Sequence, residues 1–194
     1  EERILLKLRC TDADINRLWI RMSAGDDETF WGGGEQMSYL ALNGRRFPFW
    51  TSEPGVGRDK TTKLTQTMDA EGLAGGDYWT TNYPQPTWLS SARYAVHLET
   101  AAYSVLDLSD PGAADIECWQ ANVDLELFGA PTLRDLVTAM STRFGRQPPL
   151  PDWAISGAIV GLKDGEATFE RFEKIAASGA AIGGLWCEDW VGIR

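Results

Sequence analysis

Histidine is almost missing from this chain: His97 is the only one in 194 residues. A His-rich metal site is thereby excluded, and a Ser-His-Asp triad would have to rest on His97 alone. That residue falls on the polar face of its strand, where it is expected to be exposed. Cysteine is scarce and odd in number, with Cys10, Cys118 and Cys187 far apart and no Cys-x-x-Cys pair. There is no disulfide framework in this spacing, and a reducing cytoplasm suits it. No run approaches the roughly 18 apolar residues that a bilayer-spanning helix needs. The start, Glu1-Glu2-Arg3, lacks a signal-peptide pattern. Positive charge is also short: 18 Lys and Arg stand against 28 Asp and Glu, a formal net charge of −10. Phosphate backbones and anionic lipid both call for a basic face, so neither nucleic acid nor membrane is an expected partner. Gly32-Gly-Gly-Glu-Gln and Gly55-Val-Gly-Arg-Asp-Lys share only glycine content with phosphate loops, because neither matches the P-loop pattern or leads a strand into a helix.

What the chain does have is apolar and aromatic material. Hydrophobic residues make up 43%, nine of them tryptophan, which is ample for a packed core in a length between one domain and two. From Ile4 to about Phe128 short runs rich in aromatic and β-branched residues alternate with Gly, Asp, Asn and Pro clusters, which reads as an all-β sandwich. Within Arg93 to Glu99, Tyr94, Val96 and Leu98 alternate with Ala95, His97 and Glu99, giving a strand one large apolar face. Between Pro131 and Gly145 the period becomes helical, through Leu133, Leu136, Val137, Met140 and Phe144. Pro148, Pro149 and Pro151 then interrupt both periods. The expected organisation is a sandwich over residues 1–129, a linking helix and proline-rich junction over 130–150, and a new domain from 151 to 194.

That last stretch reads as strand, helix, strand. Ala154 to Gly161 is apolar on both faces, as a covered parallel strand would be. Phe169, Phe172, Ile175 and Ala176 supply one helical face, Ser178-Gly179 ends it, and Ile182 to Cys187 forms the second strand of a βαβ unit. Ligands of parallel α/β folds bind beyond the C-terminal strand ends. Here the first strand leads to Lys163 and Asp164, the second to Glu188, Asp189 and Trp190. Spacing alone leaves two readings open: Lys163 and Glu188 bracket a small polar ligand, or they form a rim salt bridge.

Separated motifs carry a resemblance. Gly33-Gly34-Glu35-Gln36, then Arg46-Phe-Pro-Phe-Trp-Thr-Ser-Glu-Pro-Gly-Val-Gly-Arg-Asp-Lys60, Gly75-Gly-Asp-Tyr-Trp, Tyr83-Pro-Gln-Pro-Thr-Trp-Leu-Ser-Ser-Ala-Arg-Tyr94 and Pro151-Asp-Trp-Ala together resemble glycoside hydrolase family 31, and within it the sulfoquinovosidases. The similarity implies an α/β protein with an N-terminal β-sandwich followed by the first βαβ unit of a truncated (β/α)8 TIM barrel. It implies a retaining α-glycosidase that needs no metal or other cofactor, in which one aspartate attacks the anomeric carbon and a second acid protonates the leaving oxygen. Those two acids belong to later barrel strands, so no catalytic residue is assigned here.

By the same resemblance, Lys163 and Glu188 match polar positions that contact the sugar, with Asp189 and Trp190 beside them. The loops at Glu35-Gln36 and Glu53 to Lys60, with Arg58, cap the aglycone side or serve a structural role. The implied partner is a small-molecule sulfosugar glycoside such as sulfoquinovosyl glycerol, with a homo-oligomer left open. Two alternatives stand beside this reading: an α-glucosidase or α-xylosidase of the same family, and a carbohydrate-binding module built on the sandwich.

Overall fold

The structure is a computed structural model that describes residues 2–52, 59–71, 76–162 and 167–187. The elements run β1 (Glu2–Arg9), β2 (Leu18–Ser23), β3 (Phe30–Gly34), β4 (Arg46–Phe49), α1 (Lys63–Ala70), β5 (Pro84–Ser90), β6 (Tyr94–Glu99), β7 (Ser104–Asp107), β8 (Ala113–Cys118), β9 (Asn122–Gly129), α2 (Leu133–Phe144), α3 (Asp152–Ser156), β10 (Ala158–Leu162), α4 (Ala167–Ala177) and β11 (Ile182–Cys187). They fall into two compact units, Glu1–Gly145 and Arg146–Arg194.

In the first unit the period-2 runs pair into two antiparallel sheets, ordered β1-β9-β6-β5-β3 and β2-β8-β7-β4. Their inward residues meet in one cluster that includes Phe30, Trp88, Val96, Leu98 and Leu125 from the first sheet and Phe47, Leu106 and Ile116 from the second. Each large apolar side chain removed from water in this way contributes about 1.5–3 kcal/mol. One departure from a pure β reading is α1, which Thr62 caps by accepting from the Thr65 N–H. Its sequence, KLTQTMDA, has too narrow an apolar face to announce a helix.

A second departure concerns the outer face of the five-stranded sheet. Helix α2 begins directly after its N-cap Thr132, whose side chain accepts from the Asp135 N–H, and ends at Gly145 with φ +92°. It buries Leu136 and Ala139 against Ala95 and Phe128. The expectation that His97 is exposed is therefore corrected. Phe144 packs edge-on over its ring at 4.7 Å, and Nδ1 shares a 2.7 Å hydrogen bond with Thr87 Oγ1. A helix that returns to cover the second face of β6 is not encoded in the alternation within β6.

The same helix delivers Arg143 to the buried Glu126. Arg143 Nη2 donates to Oε1 at 2.7 Å and Arg3 Nε donates to Oε2 at 3.0 Å, while Glu126 itself is 3% exposed. Hydrogen bonds from Arg143, then from Arg3, hold the Glu126 carboxyl below the usual carboxylate range. A depressed carboxyl contributes stability above its unfolded pKa and loses it as pH falls through the folded one. Glu126→Gln is expected to destabilise the unit by about 2–3 kcal/mol near pH 7, less than a fully buried pair because both arginines are partly wet. Urea unfolding should show the difference between parent and variant shrinking as pH falls below about 4.

In the second unit β10 and β11 pair in parallel, with Leu162 opposite Cys187. The expected strand from Ala154 to Gly161 is corrected to a helix followed by a strand. Pro151 caps α3 in an extended conformation, and Gly157 breaks it before β10 begins. Close packing requires glycine at this junction: a Cβ at Gly157 would lie 2.4 Å from Gly183 N, and one at Gly183 would lie 2.3 Å from Trp153 O. Covered faces were also expected for these strands, yet Ile159, Leu185 and Trp186 are 49%, 55% and 62% exposed. Within this unit a single helix-strand-helix-strand stretch has too few elements to cover both faces of a parallel pair.

Candidate functional site

The residues predicted for the site fall into two groups. In the second unit Lys163, Glu188, Asp189 and Trp190 lie outside the described residues. The register nevertheless bears on them, because Leu162 and Cys187, each one residue earlier, are cross-strand partners. The two strands therefore reach their C-terminal ends level with each other. In the first unit Arg58 lies outside the described residues, whereas Glu35 and Gln36 are described.

Glu35 and Gln36 owe their placement to three consecutive glycines. Gly32, Gly33 and Gly34 have φ of +113°, +77° and +86°, values that side-chain-bearing residues rarely adopt. The β3–β5 ladder shifts register between Gly32 and Gly34, and a Cβ on Gly32 would lie 2.7 Å from Thr87 O. This bulge turns the chain away from the sheet and re-aims the two residues that follow. The Glu35 N–H donates to Tyr83 O at 2.9 Å. The Gln36 N–H donates to Gly34 O at 3.0 Å, and its Nε2 donates to Gly33 O at 2.9 Å. Glu35 thus presents its carboxylate to solvent, while the Gln36 amide folds back on the glycines. Its Oε1 is buried with no hydrogen-bond partner among the described residues.

Hydrogen bonds connect this bulge to the roots of the segment that holds Arg58. Tyr83 N–H donates to Thr81 Oγ1 at 3.1 Å, Thr81 O accepts from the Ser52 N–H at 2.9 Å, and Thr51 and Thr81 form a parallel bridge. The turn before Thr81 is fixed by Asp77, whose Oδ1 accepts from the Tyr78 N–H at 2.8 Å and whose own N–H donates to Thr80 Oγ1 at 2.7 Å. On the other side, Asp59 is tied down by Thr61, which donates to Oδ1 from its N–H at 2.9 Å and its hydroxyl at 2.6 Å. Tyr39 reaches Oδ2 at 3.4 Å, and the Arg45 guanidinium stacks over the Tyr39 ring at 3.6 Å. The hydrogen bonds from Thr61 hold the Asp59 carboxyl below the usual range, so it is ionised where the chain turns into α1.

One edge of the first unit therefore gathers Glu35, Gln36 and both ends of the 53–58 segment, with the Tyr83 ring 65% exposed beside them. Sequence reading found Glu35, Gln36, Arg58 and the loop from Glu53 to Lys60 that includes Asp59, but not Tyr83, Thr81 or Tyr39. The signal for Tyr83 was available in Tyr83-Pro84-Gln85-Pro86, where two prolines stiffen the backbone that carries the ring. Among the described residues no group of three or more His, Cys, Asp or Glu is arranged to hold a metal ion. Chemically, an exposed carboxylate and an exposed phenol ring suit polar contact with a neutral or hydroxylated ligand rather than bond breaking.

No protein-family model matches the chain. It is similar to proteins named sulfoquinovosidase: one from Agrobacterium fabrum, 58% identical over 97% of this chain, and one from Escherichia coli, 38% identical over 99% of it. The chain spans 28% of the length of each of these relatives. Among solved structures it is similar to a glycoside hydrolase family 31 sulfoquinovosidase from E. rectale in complex with the aza-sugar inhibitor IFGSQ. There the TM-score is 0.84 and the identity 42%, over 98% of this chain and 29% of that one.

Proposed function

We propose that this chain, homologous along nearly its whole length to sulfoquinovosidases of glycoside hydrolase family 31, is part of a retaining α-glycosidase whose complete form hydrolyses α-sulfoquinovosides. The observation that carries the reading is the 58% identity to the Agrobacterium enzyme over 97% of the chain. In domain terms, residues 1–129 form a β-sandwich, 130–150 a linking helix and junction, and 151–194 the first βαβ unit of a (β/α)8 barrel. The two antiparallel sheets with one shared core and the parallel β10–β11 pair support that division. Barrel active sites gather at the C-terminal strand ends, where the level ends of β10 and β11 lead into Lys163 and Glu188.

In this reading Lys163 and Glu188, flanked by Asp189 and Trp190, bind the sugar through paired charge, and the loops at Glu35-Gln36 and Glu53 to Lys60, with Arg58, contact the aglycone. The reaction passes through an oxocarbenium-like transition state between two carboxyl groups, supplied by the rest of the enzyme, with no metal or other cofactor. The substrate is a small soluble sulfosugar glycoside, and a cytoplasmic setting fits the scattered cysteines. No helix of the described residues is long and apolar enough to cross a membrane.

The test compares 4-nitrophenyl α-sulfoquinovoside with 4-nitrophenyl α-glucoside, using the protein at its natural length. Release of nitrophenol from the sulfosugar, with a specificity constant at least about 100-fold above that for the glucoside, is expected for a site built around a charged substituent. Preference for the glucoside would assign the chain to an α-glucosidase instead.

A further inference from the structure

The outer face of the four-stranded sheet carries a row of aromatic residues that the proposed reaction does not use. Each member sits one position beyond a ladder pair whose own side chains point inward. Phe49 pairs with Ser104 and Ser104 with Cys118, while Leu18 pairs with Cys118. Alternation therefore turns Trp50, Tyr103, Trp119 and Arg17 outward, side by side across four strands. Trp50 and Tyr103 meet edge-on with centroids 5.8 Å apart, Tyr103 and Trp119 do so at 4.9 Å, and the Arg17 guanidinium covers Trp119 at 3.9 Å.

The row is both exposed and rigid. Trp50 is 56% exposed and Trp119 46% exposed. The Trp119 indole is locked by a 2.7 Å hydrogen bond from Nε1 to Glu117, which in turn binds Arg46 at 3.1 Å. Exposed large aromatics held in place by neighbours are informative in a way that a lone exposed leucine is not.

We propose that this row is a binding site for the pyranose ring of a neutral saccharide. Charge and hydrogen-bonding capacity identify the occupant. Elsewhere on this face arginine is paired: Arg46 with Asp107 and Glu117, Arg21 with Asp115 and Asp110. Arg17 apart, the face offers no cationic surplus, and one guanidinium on a protein whose net charge is −10 makes no basic surface for a polyanion. What it does leave unspent are donors. Among the described residues the Arg17 guanidinium, the Trp50 indole N–H and the Tyr103 hydroxyl have no hydrogen-bond acceptor. A sugar ring supplies hydroxyl acceptors for these donors and an apolar C–H face for the exposed indole. A second copy of the chain meeting this face across a two-fold axis would set the same donors against one another.

Calorimetric titration of the natural-length protein with maltotriose provides the test. Binding with a dissociation constant of about 1 mM is expected from one stacked ring and a few hydrogen bonds. Trp119→Ala and Arg17→Ala should each weaken it at least about tenfold, while the release of nitrophenol from the sulfoquinovoside by Trp119→Ala stays at the parental rate. Trp119→Phe, which keeps a ring on the same strand, should preserve the fold and weaken binding less than alanine does. Absence of binding at about 20 mM maltotriose overturns the proposal, as does binding by the alanine variants equal to that of the parent. Sedimentation that shows a parent dimer dissociated by Trp119→Ala also overturns it, because the row would then be the contact between copies.

Discussion

Glu188→Gln in the complete enzyme is expected to lower the specificity constant by about 2–4 kcal/mol, roughly 30- to 900-fold, and the second change Lys163→Gln is expected to restore part of the loss. Leu162 and Cys187 are partners at the ends of β10 and β11, and the next residue along each strand is a lysine and a glutamate. A charge-paired sugar contact at that rim keeps net charge near that of two amides. Removing the carboxylate alone then leaves the ammonium without compensation, and the single variant suffers more than the double. A rim salt bridge behaves otherwise, because exposed pairs contribute below about 1 kcal/mol. In that case all four proteins have nearly the same constant. The four specificity constants, measured as a double-mutant cycle, separate the outcomes, and a coupling energy of zero removes Lys163 and Glu188 from the site.

The parts of the fold that were legible in the sequence are those set by local periodicity. Alternation over Tyr94 to Glu99 corresponds to β6, and the helical spacing between Leu133 and Phe144 corresponds to α2, with Gly145 as its cap. What alternation does not carry is the identity of the covering layer. The small and polar face of β6 is buried because α2 folds back over it, so His97 is packed under Phe144 rather than exposed. That contact joins residues 47 positions apart, and only tertiary packing decides it. Glu126 is a related case. Its partners Arg3 and Arg143 lie 123 and 17 residues away in sequence, beyond any short-range pattern.

Sites followed the same division. Glu35 and Gln36 were visible as polar residues after a glycine run, whereas the link from Glu35 through Tyr83 and Thr81 to Ser52 joins three segments and exists only in the folded chain. In the second unit, Ala154 to Gly161 is apolar enough to suit a buried strand or a short helix. The choice fell to Pro151 and Gly157, which bracket Asp152–Ser156 as one turn before the strand.

Gly34→Ala is expected to be the most destabilising change at the edge that carries Glu35. Its φ of +86° already costs a non-glycine residue about 1–2 kcal/mol. The added methyl has no room as well, since an ideal Cβ would lie 2.2 Å from Tyr83 O and 2.5 Å from Gln85 N. Both obstacles are backbone atoms of a segment stiffened by Pro84 and Pro86, so neither swings aside as a side chain would. Overpacking of this kind adds about 1–3 kcal/mol, for a total near 3 kcal/mol. In a unit of this size that corresponds to a fall in Tm of about 6–12 °C. Gly44→Ala is the matched control. Gly44 also has positive φ, +74°, but a Cβ there meets nothing within 4 Å, so the loss should stay near 1–2 kcal/mol. Equal shifts in thermal unfolding for the two variants would show that backbone conformation alone, and not the contact with Tyr83, sets the requirement for glycine. Because the displaced carbonyl is the acceptor for the Glu35 N–H, Gly34→Ala should also raise KM more than it lowers kcat in the complete enzyme, while Gly44→Ala leaves both unchanged.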